Sequence, residues 1–166
     1  YIAAPEWIVK GCNKLQGQYT SGPCSVSQKA AEAAYTASQQ CVEEMRQAFE
    51  RRRDLIVALA REIPGLEVNV PEGAFYLFPK CSSFYGSSVC CVDNATNRTT
   101  NDNATNRTIN NSTDLAMYLL EEAPVATVGG DAFGDPDCFR MSYATSDDNI
   151  REAMRRIAEA LAKLKK

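Results

Sequence analysis

Residues 64–79 read PGLEVNVPEGAFYLFP, and the hydrophobic period of the chain changes inside them. Upstream, a long helical stretch starts at Ser25. It is Ala-rich at first and then sets Val42, Met45, Phe49, Ile56, Leu59 and Ile63 on one stripe, with Arg51, Arg52 and Arg53 partly opposite. Pro64-Gly65 stops that helix. Leu66-Glu67-Val68-Asn69-Val70 then alternates, which predicts a half-buried strand. Pro71-Glu72-Gly73 turns the chain, and Phe75-Tyr76-Leu77-Phe78 predicts a second strand that Pro79 ends.

Working outward, residues 5–16 carry Trp7, Ile8, Cys12 and Leu15 at helical spacing behind Pro5, and GQYTSGP (17–23) is a break. Downstream, 114–123 predicts a helix with Ser112 or Thr113 as its cap. Strands are expected over 125–128 and 139–143. The last helix has Ser146 as cap, Asp147 and Asp148 at the positive end of its dipole, and the stripe Ile150, Met154, Ile157, Leu161 and Leu164. Helix, long helix, two strands, helix, two strands, helix is an α+β order.

The chain has 166 residues, 45% of them apolar and 23% charged, which is the composition of one globular domain. Lys plus Arg is 18 against 21 for Asp plus Glu, a net charge of −3 that points to neither nucleic acid nor an anionic membrane as partner. No apolar run reaches the ~20 residues of a membrane helix, and no signal peptide is visible. Histidine is absent, which excludes His-based triads and His general bases. Cys12, Cys24, Cys41, Cys81, Cys90, Cys91 and Cys138 form no CxxC pair, so no metal site is expected. They read as buried thiols or as disulfides with one thiol left over.

Residues 93–101, DNATNRTTN, are repeated at 102–110 as DNATNRTIN, with Thr100 replaced by Ile109. So polar a segment cannot offset its ordering entropy, and a mobile inserted loop is expected over about 87–111. It holds N-x-S/T acceptors at Asn94, Asn97, Asn103 and Asn106, continued by Asn110 and Asn111. Their density favours glycan placement over chance and, with it, expression through a secretory route.

Outside that loop, three stretches and the final helix resemble the C-terminal part of the class I (fold type I) pyridoxal-phosphate-dependent aspartate aminotransferases. They are YIAAPEWIVKGCNKLQGQYTSGPCSVSQKAA (1–31), RRRDLIVALAREIPGLEVNVPEGAFYLFPKCSSF (51–84) and DLAMYLLEEAPVATVGGDAFGDPDCFRMSYATS (114–146). The resemblance implies the small C-terminal domain of that fold, an antiparallel-rich sheet backed by helices with a long connecting helix. Residues 1–40 would be the helical end of the large domain and connector, and 41–166 the small domain. Arg140 in CFRMSYA matches the arginine that receives the substrate α-carboxylate. Thr20 and Ser21 match a turn that approaches the cofactor phosphate across the dimer, and Gly73 and Phe133 match loops at the substrate entrance. Tyr1 resembles the last residue of the segment that carries the Schiff-base lysine, so no catalytic residue and no bound cofactor is expected in this chain.

Two functions follow. One is a catalytically silent, engineered, glycan-decorated scaffold for display or immunisation, with an antibody as partner. The other is a piece of an active aminotransferase, of a cytoplasmic family, that moves amino groups between amino acids and 2-oxo acids.

Overall fold

The computed structural model describes residues 2–89 and 107–165, which form two compact units, Tyr1–Glu44 and Met45–Lys166. The first holds α1 (Glu6–Tyr19) and α2 (Ser25–Thr36), neither of which buries a residue. Helix α1 starts directly after Pro5, where the missing N–H costs nothing, and its first turn carries the Glu6–Lys10 pair at 2.7 Å. The Ala-rich sequence of α2 supplies propensity rather than packing.

The long helix expected from Ser25 onward is two helices. Ala37 is extended at ψ 174° and ends α2, and α3 (Gln40–Arg61) begins three residues later. Local polar groups fix the break. The Gln39 side-chain amide donates to the carbonyls of Ala34 and Ala37 at 2.9 and 3.0 Å, and Ser38 Oγ accepts from the Gln40 N–H at 3.3 Å.

The second unit contains the core. Its elements are the end of α3, β1 (Tyr76–Leu77), β2 (Ser88–Val89), β3 (Arg107–Thr108), α4 (Ser112–Glu122), β4 (Val128–Gly129), β5 (Phe139–Ser142) and α5 (Asp147–Leu161). A three-stranded sheet has the order β1-β5-β4, antiparallel throughout, with Leu77 opposite Met141 and Val128 opposite Arg140. Along β5, Phe139 and Met141 are buried while Arg140 is half-buried and Ser142 exposed, as a period of two requires. The buried face shares one core with Ile56 and Ala60 of α3, Leu115 and Leu119 of α4, and Ile150 and Ile157 of α5. Each such large side chain contributes about 1.5–3 kcal/mol of burial. Arg140 lies on the opposite face.

Three sequence expectations are corrected here. Over 66–70 no strand forms. Only Glu67 pairs, with Lys80, through bonds of 3.2 and 3.0 Å, and Val70 is exposed. Leu66 and Val68 do pack on the core, so the alternation recorded burial and not strand pairing. The cap of α4 is Asn111, whose side chain accepts from the Asp114 N–H at 2.8 Å, in place of Ser112 or Thr113.

The third correction concerns the edges of the 87–111 loop, which are ordered. Strands β2 and β3 pair antiparallel, Ser87 is buried, and Ile109 is fully buried in the core. The one apolar replacement in the repeat is the reason, since it gives the second copy a side chain with something to gain from burial. The remainder of the loop, with Cys90, Cys91, Asn94, Asn97, Asn103 and Asn106, lies outside the described residues.

Candidate functional site: a guanidinium held among aromatic rings

Strand β5 presents Arg140 on the face away from the core, between its two partner strands. On one side β1 supplies Tyr76, and the Arg140 Cζ lies 4.4 Å from that ring's centroid. On the other side β4 leads into a 3-10 turn, Gly130–Phe133, whose Phe133 ring lies 4.0 Å from the same carbon. Such cation–π contacts contribute about 0.5–1 kcal/mol each at exposed sites. Each ring is itself supported. Phe75 lies 4.6 Å from Tyr76, and Phe78 meets Phe133 edge-on at 6.2 Å and 89°.

Among the described residues, Arg140 has neither an ion pair nor a hydrogen-bonded acceptor. Other arginines are engaged: Arg53 with Asp54, Arg51 with Asp147, and Arg155 with Glu152 and Glu159. A planar fork without a protein acid keeps its donors free and can take a carboxylate in two parallel hydrogen bonds.

The turn that delivers Phe133 is fixed by Ser112, which the sequence offers only as a helix cap, and by Gly130. Ser112, fully buried, accepts from the Gly130 N–H at 3.0 Å. A Cβ on Gly130 would stand 2.0 Å from the Asp135 carbonyl and 2.3 Å from that of Cys138, so only glycine fits. Tyr76 was also passed over as a site residue. The signal available for it is the strand register, which sets Tyr76 opposite Ser142, two residues along β5 from Arg140.

The remaining predicted residues fall as follows. Gly73 lies in an exposed turn beside Ala74, which holds φ 60° and accepts from Tyr143 Oη at 3.1 Å. That turn borders a cleft of about 460 Å³ against α3, lined by Phe49, Phe75 and Tyr143 with Arg46, Glu50 and Arg53. Its charges are of both signs, and Arg46 and Arg53 are paired with Glu50 and Asp54. Thr20 and Ser21 lie in the first unit, at the end of α1. Ser21 has φ 61°, its N–H bonds the Gln16 carbonyl, and Thr20 Oγ1 takes a bond from the Gln16 side chain. Asn110 and Asn111 are both used by the fold. The Asn110 side-chain amide donates to the Thr108 carbonyl at 3.1 Å and to Asp114 at 3.3 Å, and Asn111 caps α4.

Neither buried thiol is a nucleophile at neutral pH. Burial pushes Cys81 up to about 11, and burial together with the Asp135 carboxylate pushes Cys138 up to about 12. Cys12, Cys24 and Cys41 are free thiols. Among the described residues, no three His, Cys, Asp or Glu side chains converge as a metal site would need. Among the described residues, no helix is long and apolar enough to cross a membrane.

A pyridoxal cofactor needs a free amine for its aldehyde and an acid at its ring nitrogen. Lys80, which bridges Glu67 and Cys138, has its ammonium paired with Asp137 at 3.8 Å.

Comparison with known proteins covers nearly the whole chain. The family description "Aminotransferase class I and II" matches residues 1–157. The chain is 44% identical over 168 aligned residues to the bifunctional aspartate aminotransferase and glutamate/aspartate-prephenate aminotransferase of Petunia hybrida, covering 99% of this chain and 32% of that protein. The crystal structure of the aspartate aminotransferase from Rhizobium meliloti superposes with a TM-score of 0.83 at 39% identity, over 98% of this chain and 37% of that one. The aromatic aminotransferase of Pyrococcus horikoshii superposes at 0.74 with 31% identity, over 97% of this chain and 38% of that one. The chain spans about a third of the length of the relatives it matches.

Proposed function

Because the chain belongs to the class I and II aminotransferase family, we propose that it is the carboxylate-receiving part of an aminotransferase that moves amino groups between amino acids and 2-oxo acids. One observation carries the reading: the Arg140 fork, held by Tyr76 and Phe133, has no acidic partner among the described residues. The part of this chain is to bind a substrate carboxylate and hold it in one orientation, which is how an enzyme converts binding into rate. The family's cofactor supplies the electron sink. No step through it is assigned to these residues, and by itself the chain is expected to bind no pyridoxal phosphate.

The test is a chimera in which this chain replaces the corresponding third of the Rhizobium meliloti enzyme. Transfer between aspartate and 2-oxoglutarate is expected. Arg140→Ala is expected to lower kcat/KM on the order of a hundredfold, the loss of a charge-assisted fork. A folded chimera without activity, or one indifferent to Arg140→Ala, would refute the proposal.

A second reading, an engineered glycan-bearing scaffold made through a secretory route for an antibody, is favoured only by the tandem DNATNRT copies. Intact mass before and after glycosidase decides it. An unchanged mass removes this reading.

A further inference from the structure

Phe133 is a large apolar side chain left 43% exposed, on a turn built so tightly that Gly130 tolerates no Cβ. Its ring packs on the cation of Arg140 and on the edge of Phe78. Tyr76 meets the same cation from β1 and is backed by Phe75. A guanidinium can be fixed by acids or by rings, and the two differ in what they leave free. An acid consumes N–H donors, whereas a ring face attracts the cation and consumes none of its strong hydrogen-bonding capacity.

We propose that Tyr76 and Phe133 are positioning residues for Arg140, fixing its guanidinium by π contact so that the whole fork stays available to a substrate carboxylate. The inference rests on the carboxylate-receiving reading of Arg140. It adds the reason that the fork stays in place without an acid. It also predicts that the site is set by β1 and by the Gly130–Phe133 turn as much as by the arginine.

The test uses the full chain labelled with nitrogen-15 and follows the Arg140 Nε–Hε resonance, assigned by its disappearance in Arg140→Lys. Without ligand, the two rings are expected to place that proton upfield of the other arginine signals. Added succinate is expected to move it. Phe133→Leu removes a ring that is not in the core. It is expected to return the resonance toward the other arginines and to weaken succinate by about two- to fivefold, with Tyr76→Leu doing the same. Phe133→Tyr and Tyr76→Phe keep a ring and are expected to preserve both readouts, which separates ring loss from a general disturbance of the fold.

An Arg140 signal that neither leucine variant moves overturns the positioning inference. The carboxylate reading then still stands if succinate shifts that signal. An Arg140 signal indifferent to succinate in the parent chain overturns the carboxylate reading, and the positioning inference with it.

Discussion

At Ile109 one side chain decides whether the second copy of the repeat belongs to the fold. Thr100 holds the equivalent place in the first copy, and Ile109 is fully buried against the core. Ile109→Thr restores the repeat and places a hydroxyl in an apolar site. It is expected to cost about 2–4 kcal/mol in urea unfolding. A change under half a kcal/mol would mean that Ile109 does not pack as described. Gly130 is the other decisive residue. Gly130→Ala must displace two carbonyls and is expected to cost about 1–3 kcal/mol. The same displacement should disturb Phe133, so the Arg140 resonance is expected to move with it. Neither effect is visible in composition, because both depend on what the neighbouring backbone does.

Helix α5 is the element most fully written in its own residues. Ser146 accepts from the Asn149 N–H at 3.3 Å, and Ser146→Ala is expected to cost about 1 kcal/mol by thermal melting. Its first turn is also tied to α3. A hydrogen bond from Arg51 holds the Asp147 carboxyl below its ordinary range, with the charges of Arg51 and Arg52 adding to it. Hydrogen bonds from Arg155 and Arg156 bring Glu152 from 4.5 down to about 2. A carboxyl depressed in the folded state binds fewer protons there than when unfolded. Its stabilisation is therefore complete above the unfolded value and is lost as pH falls through the folded one. Stability should decline between pH 4.5 and about 2, and Glu152→Gln should flatten that part of the profile. Both pairs are exposed, so 1 M salt should weaken the effect. A profile in Glu152→Gln identical to that of the parent would refute the assignment.

For the molecule as a whole, every residue of the core cluster lies in the second unit. A chain starting at Gln40 is therefore expected to melt cooperatively, within a few degrees of the full chain. A drop of ten degrees or more would show that the first unit contributes to the core's stability. By composition alone, exchanging 93–110 for a short Gly/Ser linker is harmless, since loop length costs only ~0.6 kcal/mol per doubling. It removes Ile109 and β3, however, and is expected to lower the melting temperature markedly.

The sequence alone determined the class of fold, the places of α1, α4, α5 and β5, and the cap at Ser146. These are local or motif properties: periodicity, caps and a run of matched residues survive without knowing what lies across the molecule. Tertiary structure decided the rest. Whether 66–70 pairs depends on a partner strand, and only Lys80 answers Glu67. Whether Ile109 is loop or core depends on a cavity that distant helices must first create. That Arg140 is held by Tyr76 and Phe133, 64 and 7 residues away in the chain, depends on the register of β1 against β5 and on a turn that only glycine permits. Side chains far apart in sequence become neighbours only once the sheet has closed, so their joint chemistry has no signature in either segment read by itself.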